Sequence, residues 1–278
     1  MLVKFDRELY LKEMQCKVRF IPSFEKRYYD WEQKSVNEDQ CPFCEKWSVS
    51  DTALLPFFHI IKNDYPFMNN QFTVFGKLHQ QFFNPKQISL ALQLIHSISD
   101  CKSGGLQISG SGASIPKHAH FSISDEIYPI STLKREVLID NGDYEICRVL
   151  GTPHLVLVIT GNLEKISMVT SEILSSLLHQ NFSYNLLLTE AQEIFIIPRT
   201  NEVSISLGRK VGVSLVGGIY PCYVKITQLH AGHKNILSKI FDHWEKVTAK
   251  ELVQALTDTT LPSSLERPEV LKLLNMEH

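Results

Sequence analysis

The chain has no long basic run and no strong charge imbalance: 28 Lys and Arg stand against 30 Asp and Glu, for a net charge of −2. A general nucleic-acid binder needs a positive footprint to displace the counterions of the phosphate backbone, so no nucleic-acid partner is expected. A small anionic substrate remains open, because a local site can be basic on a nearly neutral protein. No stretch reaches the ~18 apolar residues that read as a membrane-spanning helix, so no membrane partner is expected. Met1 to Met14 is charged and lacks the apolar core of a secretory signal, which points to a cytoplasmic location. Cysteine is sparse: six residues (16, 41, 44, 101, 147 and 222) do not read as a disulfide framework in a chain this long. No low-complexity segment or clean linker divides the chain. Its 278 residues, 44% hydrophobic and 21% charged, suit one large globular domain or two modest ones.

Residues 1–40 read as one or two helices, rich in charge and, over Phe24 to Gln33, in aromatics without Gly or Pro. A short strand is expected over Gln71 to Phe75. A helix begins at Pro85 and carries apolar residues at helical spacing over Ile88 to Ile98. Strands are expected over Leu106 to Ser109 and His118 to Ile123, joined by a glycine loop. The second half alternates likewise: strand Leu155 to Thr160, helix Leu163 to Gln180, and a hairpin of Tyr184 to Thr189 and Glu193 to Pro198 around Glu190-Ala191-Gln192. Val211 to Val216 and Tyr223 to Leu229 read as further strands, 232–256 as an amphipathic helical region, and a short helix follows Pro268. Phe72–His79 and Ile194–Asn201 are loosely alike, which suggests two related halves. The expected division is an N-terminal helical segment (1–40), a main domain (41–230, halves at about 41–130 and 140–230), and a C-terminal helical region (231–278). The last region is expected to pack on the core, with a homodimer interface as the alternative.

The one closely spaced cysteine pair is Cys41-Pro42-Phe43-Cys44. Zinc prefers four ligands drawn from thiolate and imidazole, and a Cys-x-x-Cys turn offers two thiolates at ~2.3 Å from one metal. With no second Cys-x-x-Cys, the remaining ligands should be histidines. His79, after a strand, and His118, at the start of another, complete a structural Cys2His2 zinc site with Cys41 and Cys44; His59 or His96 could stand in for His79. A redox pair and two thiols without a special role are the competing readings; the first calls for a parallel βαβ context that the pattern does not show.

His118-Ala119-His120 places two imidazoles at i and i+2, on one side of a strand. If His118 holds the metal, His120 can face a substrate. A neutral imidazole nitrogen can attack phosphorus and carry a nucleotide as a phosphoramidate, provided its other nitrogen has an acceptor that fixes the tautomer. Ser111, Ser114 and the amides of Gly110 and Gly112 are placed to hydrogen-bond phosphate oxygens.

The segment Ser114-Ile115-Pro116-Lys117-His118-Ala119-His120-Phe121 resembles the active-site strand of the galactose-1-phosphate uridylyltransferase branch of the histidine-triad superfamily, with its diadenosine tetraphosphate and GDP-sugar phosphorylases. Lys62-Asn63-Asp64-Tyr65-Pro66-Phe67 resembles that branch's nucleotide-contacting loop, and Phe72 to His79 the strand delivering the third zinc ligand. Tyr184 to Arg199, ending in Ile197-Pro198-Arg199, and Val211 to Pro221 with Gly217-Gly218 resemble strands of its second half. The resemblance covers roughly residues 40–230. It implies an α+β, HIT-like fold: two related halves, with an antiparallel sheet flanked by helices. It also implies ping-pong nucleotidyl transfer on a dinucleoside polyphosphate or nucleotide sugar. Cys41, Cys44, His79 and His118 would hold zinc. His120 would be the nucleophile, Ser114 a phosphate contact, Asn63 and Asp64 base or ribose contacts, and Arg199 a further substrate contact. One position departs from the family's His-x-His-x-Gln: Ser122 stands where Gln helps hold the transferred phosphate. Serine is shorter and donates one hydrogen bond instead of two. A water in the gap, a different substrate, or reduced activity would each follow, so a nucleotide hydrolase and a non-catalytic nucleotide-binding relative are the alternatives.

Overall fold

The structure, a computed structural model, describes residues 5–25, 41–46, 57–223 and 235–276. In chain order the elements are β1 (Phe5–Leu11), β2 (Met14–Phe20), α1 (Pro42–Lys46), β3 (Phe58–Lys62), β4 (Phe72–Gly76), α2 (Pro85–Ser97), β5 (Ser103–Gln107) and β6 (His120–Ser124). A 3-10 turn (Pro129–Thr132) leads to β7 (Arg135–Asp140), β8 (Tyr144–Val149), β9 (Leu157–Gly161), α3 (Leu163–His179), β10 (Ser183–Thr189) and β11 (Ile194–Arg199). Then come β12 (Val203–Ser204), β13 (Arg209–Lys210), α4 (Val213–Val216), β14 (Ile219–Pro221), α5 (Ile236–Lys246), α6 (Ala249–Thr259) and α7 (Arg267–Leu273).

Nine strands form one antiparallel sheet in the order β3-β4-β6-β5-β10-β11-β9-β8-β7. The order contains a repeat. β3-β4-α2-β5-β6 gives the arrangement 3-4-6-5, and β8-β9-α3-β10-β11, taken from the other edge, gives 8-9-11-10. The halves join where β5 pairs with β10. The expectation of two related halves therefore holds, but the pairing of segments changes: the counterpart of β4 is β9, and that of β6 is β11. The likeness of Phe72–His79 to Ile194–Asn201 does not mark the repeat.

One face of the sheet is covered by α2 and α3, whose apolar sides bury Ile88, Leu92, Ile95, Ile166, Ile173 and Leu177 against Phe121, Ile123, Leu186 and Leu188. Both helices start where their caps dictate. Asn84 accepts from Gln87 N while the Gln87 side chain returns to the Asn84 amide, with Pro85 in the first turn; Asn162 accepts from Glu164 N and Lys165 N. The opposite face carries His120 and lies against a second sheet, β1-β2-β14, and the 3-10 turn.

The helical reading of residues 1–40 is corrected within the described part: residues 5–20 are a β-hairpin. Its charged composition suggests helix, but Met14, Cys16, Val18 and Phe20 alternate with Gln15, Lys17 and Arg19, the period of a strand with one face toward the core. Lys12 takes a left-handed φ of 60° to close the turn. The hairpin is not a separate layer: β14 pairs parallel with β2, and Leu11, Met14 and Val18 share a buried cluster with Phe195 and Ile197. The rest of that expected helix, from residue 26, lies outside the described residues, as do residues 224–229 of the strand expected over Tyr223 to Leu229. Tyr223 itself is not in a strand.

Val211 to Val216 is not a strand. Gly212 is extended and caps a single helical turn, α4, whose first amide, Val213 N, donates to the side-chain Oε1 of Gln107 at 3.1 Å. The region 232–256 divides in its described part into α5 and α6, because Thr248 and Glu251 form a capping box that starts a new helix. The helix after Pro268 is α7, with that proline in its first turn. Three strands of the nine-stranded sheet went unread: β3, β7 and β8. The last two flank Asn141-Gly142, where Asn141 Oδ1 accepts from Asp143 N and Tyr144 N and Gly142 has φ 84°.

Candidate active site

Cys41, Cys44, His79 and His118 come together at one end of β4 and β6, their ligand atoms all within 4.8 Å of one another. Cys41 Sγ lies 3.3 Å and Cys44 Sγ 3.6 Å from His118 Nδ1, and Cys44 Sγ lies 3.1 Å from His79 Nδ1. A sulfur and a nitrogen on one tetrahedral zinc are separated by ~3.5 Å, so the set has the dimensions and the donor chemistry of a zinc site. The other nitrogen of His118, Nε2, donates to Gly76 O at 2.7 Å, which directs Nδ1 to the sulfurs. His59 and His96 are outside the group: His59 leans on the Phe75 ring, and His96 Nδ1 faces Glu190 O.

Phe43, between the two cysteines, is buried. It stacks on Phe75 at 4.4 Å and meets His118 and His120 edge-on at 5.4 and 5.2 Å. The knuckle thereby forms one wall of the His120 environment.

His120 opens β6, paired with Phe75 on β4. His118 lies just before the strand, a correction to the expected start, and the arrangement uses this. His120 Nδ1 donates to the His118 carbonyl at 2.8 Å. With the proton held at Nδ1, Nε2 keeps its lone pair. Burial holds the imidazole below its ordinary pKa against the opposing pull of that carbonyl, so the ring is neutral at neutral pH. A buried, tautomer-fixed, neutral imidazole is what attack on phosphorus requires.

Ser122, half-buried, follows on the same face as His120 and donates weakly to Gly105 O at 3.4 Å. Sequence reasoning missed Gln107. One step past the pair Leu106↔Phe121, the β5–β6 register places it opposite His120, on the same face. Its side-chain Oε1 holds Val213 N, and its NH2 is not used in that bond. The signal is a register, which no local pattern reveals.

In the loop between β5 and β6, Gly110 and Gly112 have φ 79° and 91°, and a Cβ on Gly112 would come 2.5 Å from Val211 O. Ser114 is exposed on this loop. Ser111 is not available to a ligand: fully buried, its hydroxyl accepts from Ile108 N at 2.7 Å and donates to Ile108 O at 2.9 Å. Arg199 is likewise buried and spent. It donates to Thr259 O, Ser111 O, Asn185 Oδ1, Asn201 O and Val211 O at 2.5 to 3.2 Å. Its role here is to tie the Ser111 loop, Val211 and the end of α6 to β11. Asn63 and Asp64 follow β3, four rows along the sheet from His120; Asn63 Oδ1 accepts from Tyr65 N, and Asp64 is exposed.

The sheet is that of a HIT-like fold, with the Cys2His2 group and the tautomer-fixed His120 at one end of it. Residues 129–264 match the family described as "GDPGP1-like, C-terminal domain", and residues 3–125 match "Domain of unknown function (DUF4922)". The yeast Ap4A phosphorylase Apa2 in complex with AMP superposes with a TM-score of 0.63 at 15% identity, over 95% of this chain and 91% of that one. Its complex with Ap4A gives 0.62 at 15% identity, over 94% and 90%. An ADP-glucose phosphorylase from Arabidopsis thaliana with bound ADP-glucose gives 0.41 at 13% identity, over 88% and 100%. No curated protein matches the chain by sequence.

Proposed function

We propose that this protein is a zinc-containing nucleotidyltransferase or phosphorylase that passes a nucleoside monophosphate through His120, acting on a dinucleoside polyphosphate or a nucleotide sugar. The observation that carries this reading is the bond from His120 Nδ1 to the His118 carbonyl, which leaves Nε2 free and unprotonated.

Nε2 attacks the α-phosphorus, forming an N–P bond, as the P–O bond to the leaving phosphate or sugar phosphate breaks and that oxygen keeps the electron pair. An acceptor oxygen, from inorganic phosphate or a sugar phosphate, then attacks phosphorus and returns the pair to Nε2. Donors around the phosphate supply most of the catalysis, since phosphoryl transfer depends on positioning and charge stabilisation. The NH2 of Gln107, the hydroxyls of Ser122 and Ser114, and the amides of Gly110 and Gly112 are the groups assigned this role; Asn63 and Asp64 take the base or ribose. Zinc on Cys41, Cys44, His79 and His118 is structural and fixes the knuckle and its Phe43 wall.

The substrate class draws support from relatives of the same fold, a yeast Ap4A phosphorylase bound to AMP and Ap4A among them. Ser122 in place of an amide favours a second reading, a relative that binds nucleotide without turnover. Turnover of Ap4A and of ADP- and GDP-sugars, with and without inorganic phosphate, separates the cases. Phosphate-dependent release of a nucleoside diphosphate is the expected result. Monophosphate release independent of phosphate would mark a hydrolase, and binding without products would establish the second reading.

A further inference from the structure

The face that carries His120 also carries Ser122, directly opposite Gly105 on β5. Tyr128 lies over this pair. A Cβ on Gly105 would stand 2.4 Å from the Tyr128 hydroxyl, and one on Gly217 would stand 2.3 Å from the Tyr128 ring. Two glycines thus clear the space that lets a phenol come down onto the sheet beside the site. Tyr128 is 2% exposed, and its hydroxyl sits beside the Ser122 side chain but makes no hydrogen bond of good geometry among the described residues. Buried hydroxyls nearly always find a partner, because an unpaired one forfeits its hydration without return. Burial also pushes the phenol pKa up, with the Ser122 side chain acting in the opposite sense, so the group remains an O–H donor at neutral pH. Ser122 donates only a long bond to Gly105 O. Beside His120 the sheet therefore holds a small side chain and a glycine, and over them lies a buried donor without a well-formed hydrogen bond.

We propose that Tyr128 is a substrate-contacting residue of the His120 site, its hydroxyl donating to a phosphate oxygen of a bound nucleoside phosphate held above Gly105 and Ser122. The inference rests on the nucleotide reading of the site. Tyr128 supplies the donor that serine is too short to provide, and Gly105 is required because any side chain there would occupy the position of the hydroxyl.

The test uses the full chain, wild type and Y128F, with calorimetric titration of AMP, GMP and UMP and of the corresponding nucleosides, together with thermal melts. The expected result is a loss of about tenfold or more in monophosphate affinity, unchanged nucleoside affinity, and a higher Tm for ligand-free Y128F because an unpaired buried hydroxyl has been removed. Equal losses for nucleoside and monophosphate would show a packing role and overturn the assignment. So would an unchanged monophosphate affinity, or a lower Tm, which would mean that the hydroxyl is already satisfied. If wild type gains no affinity from the phosphate, the nucleotide reading itself fails and takes this assignment with it.

Discussion

At the scale of single residues, the site turns on which atom of His120 is free. The His118 carbonyl fixes Nδ1–H, and burial keeps the ring neutral, so Nε2 is the ring atom left with a lone pair, the atom to which the proposal gives the attack. H120N keeps a polar side chain of similar reach but no nucleophilic nitrogen. It is expected to lose transfer by at least ~1,000-fold, since nothing replaces the covalent step; assay of turnover beside zinc content by mass spectrometry checks this. Retained turnover would remove His120 from the role. The chemistry-bearing types were legible because few residues ligate zinc or attack phosphorus, and Cys41, Cys44, His79, His118 and His120 all fall at one end of the sheet. Arg199 and Ser111 were misread for a physical reason. Their partners, Thr259 and Asn185 among them, lie 60 and 74 residues away in sequence, and a guanidinium bound by backbone carbonyls looks the same in a sequence as one bound by phosphate.

At the scale of elements, α1 is a five-residue turn that depends on what is tied to it: the Cys2His2 cluster on one side and the Phe43–Phe75 stack on the other. Structural zinc contributes directly to folding, so C41S is expected to lower both the zinc-to-protein ratio and the melting temperature. An unchanged ratio in C41S would exclude it as a ligand. Helices with strong caps were readable almost to the residue, as α2 and α3 show, since Asn84, Pro85 and Asn162 act locally. The break between α5 and α6 was legible in the Thr248 and Glu251 capping box and went unread. The N-terminal hairpin was obscured by composition, because a charged strand at a sheet edge resembles a charged helix until its alternation is compared with its partner.

At the scale of the whole molecule, two halves of like topology share one sheet but not one chemistry. β11, the counterpart of β6, reads Ile-Phe-Ile-Ile-Pro-Arg and has no histidine. The C-terminal helices complete the core: Ile236, Ile240, Leu252 and Leu256 join one buried cluster, and Val270 and Leu273 the other. His154 sits at this junction. It is fully buried, its Nε2 donates to Val216 O at 3.1 Å, and its backbone bridges to Pro262. Burial pulls its pKa down to about 3. The native state therefore keeps it neutral while the unfolded chain takes up a proton below ~6.5. The stability it contributes is full above ~6.5 and is lost as pH falls toward 3, by up to ~1.4 kcal/mol per pH unit. H154N can still donate to Val216 and does not titrate. Urea unfolding at pH 7 and pH 5 should show a smaller loss in H154N than in wild type; equal losses would contradict a buried neutral His154.

The most direct test of the central claim is the intact mass of the protein after incubation with dinucleoside polyphosphates and nucleotide sugars, for wild type and H120A. A covalent route through His120, present in one half only, predicts a gain of one nucleoside monophosphate per chain in wild type and none in H120A. A gain of the same mass in H120A, or turnover in wild type with no adduct even on quenching within a single turnover, would contradict it.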